Sequence, residues 1–161
     1  MVRLFMLHKG FIMFNKILVP IDLSAPEYSK QALTIALREV QNNDTELHLI
    51  TIVPSFTNVM VASYFSKKDH QRTIKELAIK FKAYVEEVMP ENVVPILRVY
   101  EGSPSDSIVD YVDRKKIDLV IMASHHHSAV NHFLLGSVSA RVSERAKCSV
   151  MLLRKRANIA N

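Results

Sequence analysis

Between residues 121 and 142 the chain reads IMASHHHSAVNHFLLGSVSARV, and this stretch holds most of the side chains that could do chemistry. His125, His126, His127 and His132 supply enough ring nitrogens for a zinc or nickel ion. Adjacent histidines on an extended chain point in divergent directions, however, and no cysteine pair or HExxH spacing supports them. The expectation is solvated loop histidines and no resident metal. A histidine acting as base for Ser124 or Ser137 would need an orienting carboxylate and a nucleophile on a strained turn, and no GxSxG pattern is present. Gly136-Ser137, just before a helix, offers a third chemistry. A helix N-terminus presents unpaired N–H groups and partial positive charge to a phosphate, glycine permits close approach, and the serine hydroxyl adds a hydrogen bond. The pair reads equally well as an ordinary helix start with Ser137 as N-cap, worth about 1 kcal/mol. Ser103 carries the same two readings, cap first and ligand contact second.

These groups must be positioned by the elements around them. KILVPID (16–22) is a continuous apolar run ending in Asp22, the pattern of a parallel strand buried on both faces. Ser24 then reads as an N-cap, with Pro26 in the first turn and Glu27 completing a capping box. Tyr28, Ala32, Ile35, Ala36 and Val40 recur at helical spacing until NND at 42–44. ELHLITIVP (46–54) is a second strand, SFTNVMVASYFSKKD (55–69) has no clean period, and a helix over 67–88 carries Ile74, Leu77, Phe81 and Val85 on one side. VVPILRVY (93–100) is a third strand, placed at an edge by Pro95. Ser103, Pro104 and Asp106 open the next helix as cap, first residue and capping-box partner. DLVIMAS (118–124) is the fourth strand, a helix follows over 138–146, and SVMLLR (149–154) is the fifth strand. Strands alternating with helices and no hairpin signal predict an α/β three-layer sandwich, Rossmann-like, with a five-stranded parallel sheet and helices on both faces. Ligands in such sheets bind beyond the carboxyl ends of the strands, where strand order reverses.

The bulk properties narrow the function classes. The 161 residues suffice for one domain, with 48% apolar and 23% charged residues. Net charge is +5, but the basic residues are scattered apart from Arg154, Lys155 and Arg156, so no nucleic-acid surface is expected. Residues 1–12, MVRLFMLHKGFI, read as an extension outside the domain, too short for a signal peptide or a membrane span. The single cysteine, Cys148, fits a reducing cytoplasm and a buried, unreactive thiol.

KILVPIDLS, EGSPSDSIVDYV and DLVIMASHHHSAVNHFLLGSVSARVSERAKCSVMLLR resemble, in that order, the universal stress protein family. The resemblance covers residues 13–156 and leaves 157–161 as a tail. It implies an adenine-nucleotide-hydrolase-like fold and, in members that bind ATP, a G-x2-G-x9-G-[S/T] loop. On this chain the last two positions fall on Gly136 and Ser137, preceded by Leu134-Leu135, while the first two glycines are replaced by Ala123 and His126. An alanine at a strand end is tolerated if its φ is negative. A histidine at a positive-φ position would be strained by about 1–3 kcal/mol.

Carried over residue by residue, the resemblance places Pro20 and Ile21 near the adenine and Asp22 on the ribose and phosphate side. Ile52 would offer backbone contacts to the base, and Gly102 would lie near the ribose. Met122, Ala123 and Ser124 would floor the pocket, His126 would stand in the loop, and Gly136, Ser137, Val138 and Ser139 would cradle the phosphates. The resemblance further implies ATP with Mg²⁺, a homodimer paired through 149–154, and a cytoplasmic regulator or sensor with at most slow hydrolysis or autophosphorylation. The alternative is a dimeric interaction module of the same family that binds no nucleotide, with Ala123 and His126 as its marks. A hydrolase or transferase on this scaffold would need a nucleophile, base and orienter that the sequence does not supply.

Overall fold

Ile17, Leu18 and Val19 are fully shielded from solvent, as a strand covered on both faces requires. They form β1 (Lys16–Pro20) in a computed structural model that describes residues 14–42, 44–53, 67–124 and 136–154. A single turn of 3₁₀ helix (Pro26–Ser29) leads into α1 (Lys30–Asn42), and β2 (Glu46–Val53) follows. The remaining elements are α2 (Lys67–Val88), β3 (Ile96–Glu101), α3 (Pro104–Lys115), β4 (Leu119–Ala123), α4 (Ser137–Arg145) and β5 (Ser149–Leu153). The expected extension at 1–12, the loop at 55–66, the histidine loop with His126, and the tail at 157–161 lie outside the described residues.

The five strands are all parallel, in the order β3-β2-β1-β4-β5. Alternation along each strand divides the core in two. Ile17, Val19, Leu47, Leu49, Leu119 and Ile121 face α1 and α2, where Ala32, Leu33, Ala36, Phe81 and Val85 meet them. Leu18, Ile50, Val120 and Met122 face the other way, against Ile108, Tyr111 and Val112 of α3 and Val142 of α4. Full burial of each large side chain contributes about 1.5–3 kcal/mol, so the sheet is held from both sides. The α/β architecture read from the sequence is therefore the one observed.

Local boundaries differ where two residues compete for one role. Ser24 does not cap the first helical turn: Ala25 holds that position without a side-chain bond, and the Ser24 hydroxyl turns back to Asp22. Nor is Ser137 an N-cap. Gly136 occupies that position and Ser137 is the first helical residue. Ser103 does precede α3, with Pro104 at its first position, but its hydroxyl makes no capping bond. Asp106 pairs instead with Arg145 of α4. The Ser103 hydroxyl and then the Arg145 guanidinium hold the Asp106 carboxyl below the usual carboxylate range. β3 begins just after Pro95 and pairs only with β2, at the sheet edge that the proline indicated.

Candidate functional site

Strand order reverses at β1: the chain runs outward through β2 and β3, then returns to place β4 on the other side. In such sheets a crevice opens at that point, beyond the strand ends. A cavity of about 750 Å³ occupies that position. Pro20, Ile21 and Asp22 enter it from β1, Ile52 from β2, Met122 and Ala123 from β4, and Gly136, Ser137, Val138 and Ser139 from α4. Ten of the expected residues thus line one space. Gly102 and Ser124 are not among its lining residues. Gly102 sits beside it with φ at +137°, its N–H bonded to the Val53 carbonyl at 2.9 Å, and the Ser124 N–H bonds the Leu153 carbonyl at 2.9 Å. His126 lies outside the described residues.

The anion-binding end is α4. Gly136 at its N-cap has φ −58°, an ordinary value, so the glycine there supplies room and not a special backbone conformation. Among the described residues no side chain caps this helix, and its first turn carries no acidic residue. The N–H groups of Ser137, Val138 and Ser139 precede the first intrahelical donor, Ala140, which bonds the Gly136 carbonyl at 2.8 Å. The Ser139 hydroxyl is spent on the same carbonyl at 2.9 Å, whereas exposed Ser137 faces the cavity from the first turn. Oriented N–H groups and the helix dipole make this end attractive to phosphate or carboxylate.

Asp22 supplies the cavity's carboxylate. Its Oδ1 accepts from the Ser24 N–H at 2.9 Å and the Ser24 hydroxyl at 2.6 Å, which fixes the loop after β1. No lysine or arginine lines the cavity among the described residues. Ala123 belongs to β4 and has no positive φ, so the methyl group in place of the family glycine carries no backbone strain. Among the described residues no group of three His, Cys, Asp or Glu is placed to hold a metal ion, and the four loop histidines lie outside them. No described helix is long and apolar enough to cross a membrane. Cys148 is half-buried and not fully buried as expected, though burial still pushes its thiol above the usual pKa, which lowers its reactivity.

Leu23, Ser24 and Val53, at strand ends where ligand binding was expected, also line the cavity, as do Ser29, Thr51, Leu77, Pro104 and Ile108, which the sequence did not single out. Thr51 had a visible signal, as the one polar residue in the run LITIV. Leu77 and Ile108 had none, because a core residue and a cavity wall have the same apolar signature.

The family model described as the universal stress protein family matches residues 13–154. The chain is 28% identical over 150 residues to the universal stress protein MJ0531 of Methanocaldococcus jannaschii, covering 92% of this chain and 87% of the relative. Among solved structures, the hypothetical protein MJ0577 superposes with a TM-score of 0.73 at 23% identity, covering 91% of this chain and 99% of that one. A universal stress protein family protein of Arabidopsis thaliana, solved with AMP bound, has a TM-score of 0.58 at 21% identity, covering 91% and 96%. At these identities the structural matches establish the fold alone.

Proposed function

The chain belongs to the universal stress protein family, and on that premise we propose that it binds an adenine nucleotide, ATP with Mg²⁺, in the cavity at the carboxyl ends of β1, β2 and β4. The observation that carries this reading is the start of α4: three N–H groups with no partner among the described residues, and the Ser137 side chain, opening onto that cavity. A volume of about 750 Å³ falls within the range of small-molecule and cofactor sites. The relative from Arabidopsis thaliana holds AMP, an adenine nucleotide. Asp22 fits a Mg²⁺ role, since that ion is usually held by one or two carboxylates together with phosphate oxygens.

The reading is of a cytoplasmic regulator or sensor and not of a fast enzyme. Phosphoryl transfer relies on cationic groups around the transferred phosphate, and the described cavity wall has none. The same lack favours a second reading, an interaction module that binds no nucleotide. Gly136→Val separates them. On the nucleotide reading, a branched side chain at this buried N-cap blocks close approach of the phosphates, and ATP binding is abolished in a variant that still folds. Unchanged ATP affinity in that folded variant would exclude the proposed site. We also propose that the active form is a dimer paired through β5, an edge strand whose Met151 is 37% exposed.

A further inference from the structure

Six polar residues are buried among those described: Ser29, Thr45, His48, Thr51, Ser105 and Ser139. Four have side-chain partners. The Thr45 hydroxyl donates to the Phe14 carbonyl at 2.8 Å, and the Ser139 hydroxyl donates to the Gly136 carbonyl at 2.9 Å. The Ser105 hydroxyl meets that of Ser103 at 3.3 Å, and His48 Nδ1 meets the Tyr111 hydroxyl at 2.7 Å. Ser29, 5% exposed, and Thr51, 3% exposed, have no side-chain hydrogen-bond partner among the described residues. Both line the cavity. A buried hydroxyl left without a partner is disfavoured, and two in one cavity call for a ligand that satisfies them.

Their surroundings define that ligand group. Thr51 follows Leu47 and Leu49 at a spacing of two, so it shares their face of the sheet, toward α1 and α2. Ser29 ends the turn that enters α1, and Leu77 reaches the same cavity from α2. The α4 N-terminus instead flanks the opposite face, with Ile108 of α3. The cavity therefore has two arms that straddle the strand ends. One offers backbone N–H groups, and the other offers apolar walls with two neutral hydroxyls. The second arm suits a flat, uncharged ring with polar atoms on its edge.

We infer that the Ser29 and Thr51 hydroxyls hydrogen-bond the edge of the nucleotide base and so govern base binding. A hydroxyl both donates and accepts, so each can serve a ring nitrogen or an exocyclic amino group. The inference rests on the nucleotide reading above and adds to it the residues that grip the base.

The test compares ATP with ribose 5-triphosphate, which keeps the phosphates and lacks the base, on the full chain. Ser29→Ala and Thr51→Val each weaken ATP roughly tenfold, the effect of losing a buried hydrogen bond, and leave ribose 5-triphosphate unchanged. Thr51→Ser, which keeps the hydroxyl, stays near wild type. Ligand-free Thr51→Val melts at or above the wild-type temperature, because it loses an unpartnered buried hydroxyl. A hydroxyl with a merely structural role would lower that temperature. Wild-type affinity for ATP in both variants, or equal weakening of both ligands, overturns the base assignment while nucleotide binding stands. Failure of the wild type to bind ATP overturns both.

Discussion

Ser137 is the residue whose two readings the structure separates most sharply. Serine before a helix is equally suited to capping and to phosphate contact, and local sequence cannot choose between them. Gly136 takes the N-cap position, leaving Ser137 one residue inside with its side chain at the cavity. Ser137→Ala should therefore leave stability within about 0.5 kcal/mol, where loss of a true cap would cost about 1 kcal/mol. The same variant should weaken ATP several-fold. Chemical denaturation beside a binding titration checks both, and a clear loss of stability would return Ser137 to a capping role. Ala123 teaches a related lesson. A departure from a family glycine strains the chain only where the backbone must take a positive φ, and here that backbone is an ordinary strand.

The strands and helices were legible because each solves a local problem visible in its own residues. KILVP and DLVIM are apolar on both faces because helices cover both. The helix starts at Lys67 and after Ser103 were read correctly, but the caps expected at Ser24 and Ser137 each fall one residue earlier or later, since several small polar side chains compete there and the winner depends on what else each can bond. Ser24 is drawn to Asp22, and Asp106 to Arg145 across from α3 to α4. The arm of the cavity near Ser29 and Leu77 was not legible, because it exists only where α1 and α2 come together over the strand ends.

A second consequence at this scale lies about 13 Å along β2 from Ile52, at a strand rise of ~3.3 Å per residue. There His48 joins Tyr111 of α3 at 2.7 Å and Glu46 at 3.2 Å. Burial holds the His48 pKa below its ordinary 6.5, outweighing the upward pull of Glu46. The unfolded chain thus takes up this proton more readily than the folded one. Stability from this group is complete above pH 6.5 and declines as pH falls below it. The melting temperature should drop between pH 7 and pH 5, and His48→Gln should flatten that slope. An identical slope in the variant would mean that the histidine does not contribute.

At the scale of the whole molecule, the sheet ends in two different edges. β3 is an edge strand that begins just after a proline, whereas β5 presents SVMLL with Met151 partly exposed. An uncovered apolar edge favours pairing with another strand, and a second copy of the chain would place β5 beside β5. Met151→Arg should shift sedimentation from dimer toward monomer without lowering nucleotide affinity, since Met151 is not among the cavity-lining residues. A wild-type chain that sediments as a monomer at all concentrations would contradict the dimer.

An adenine nucleotide in the crevice between β1 and β4 is the proposal on which the other expectations depend. Its most direct test is a calorimetric titration of nucleotide-free protein with ATP, with and without Mg²⁺. Saturable binding of one ATP per chain is expected. No heat, together with no competition by ADP or AMP and no nucleotide carried through purification, would contradict it.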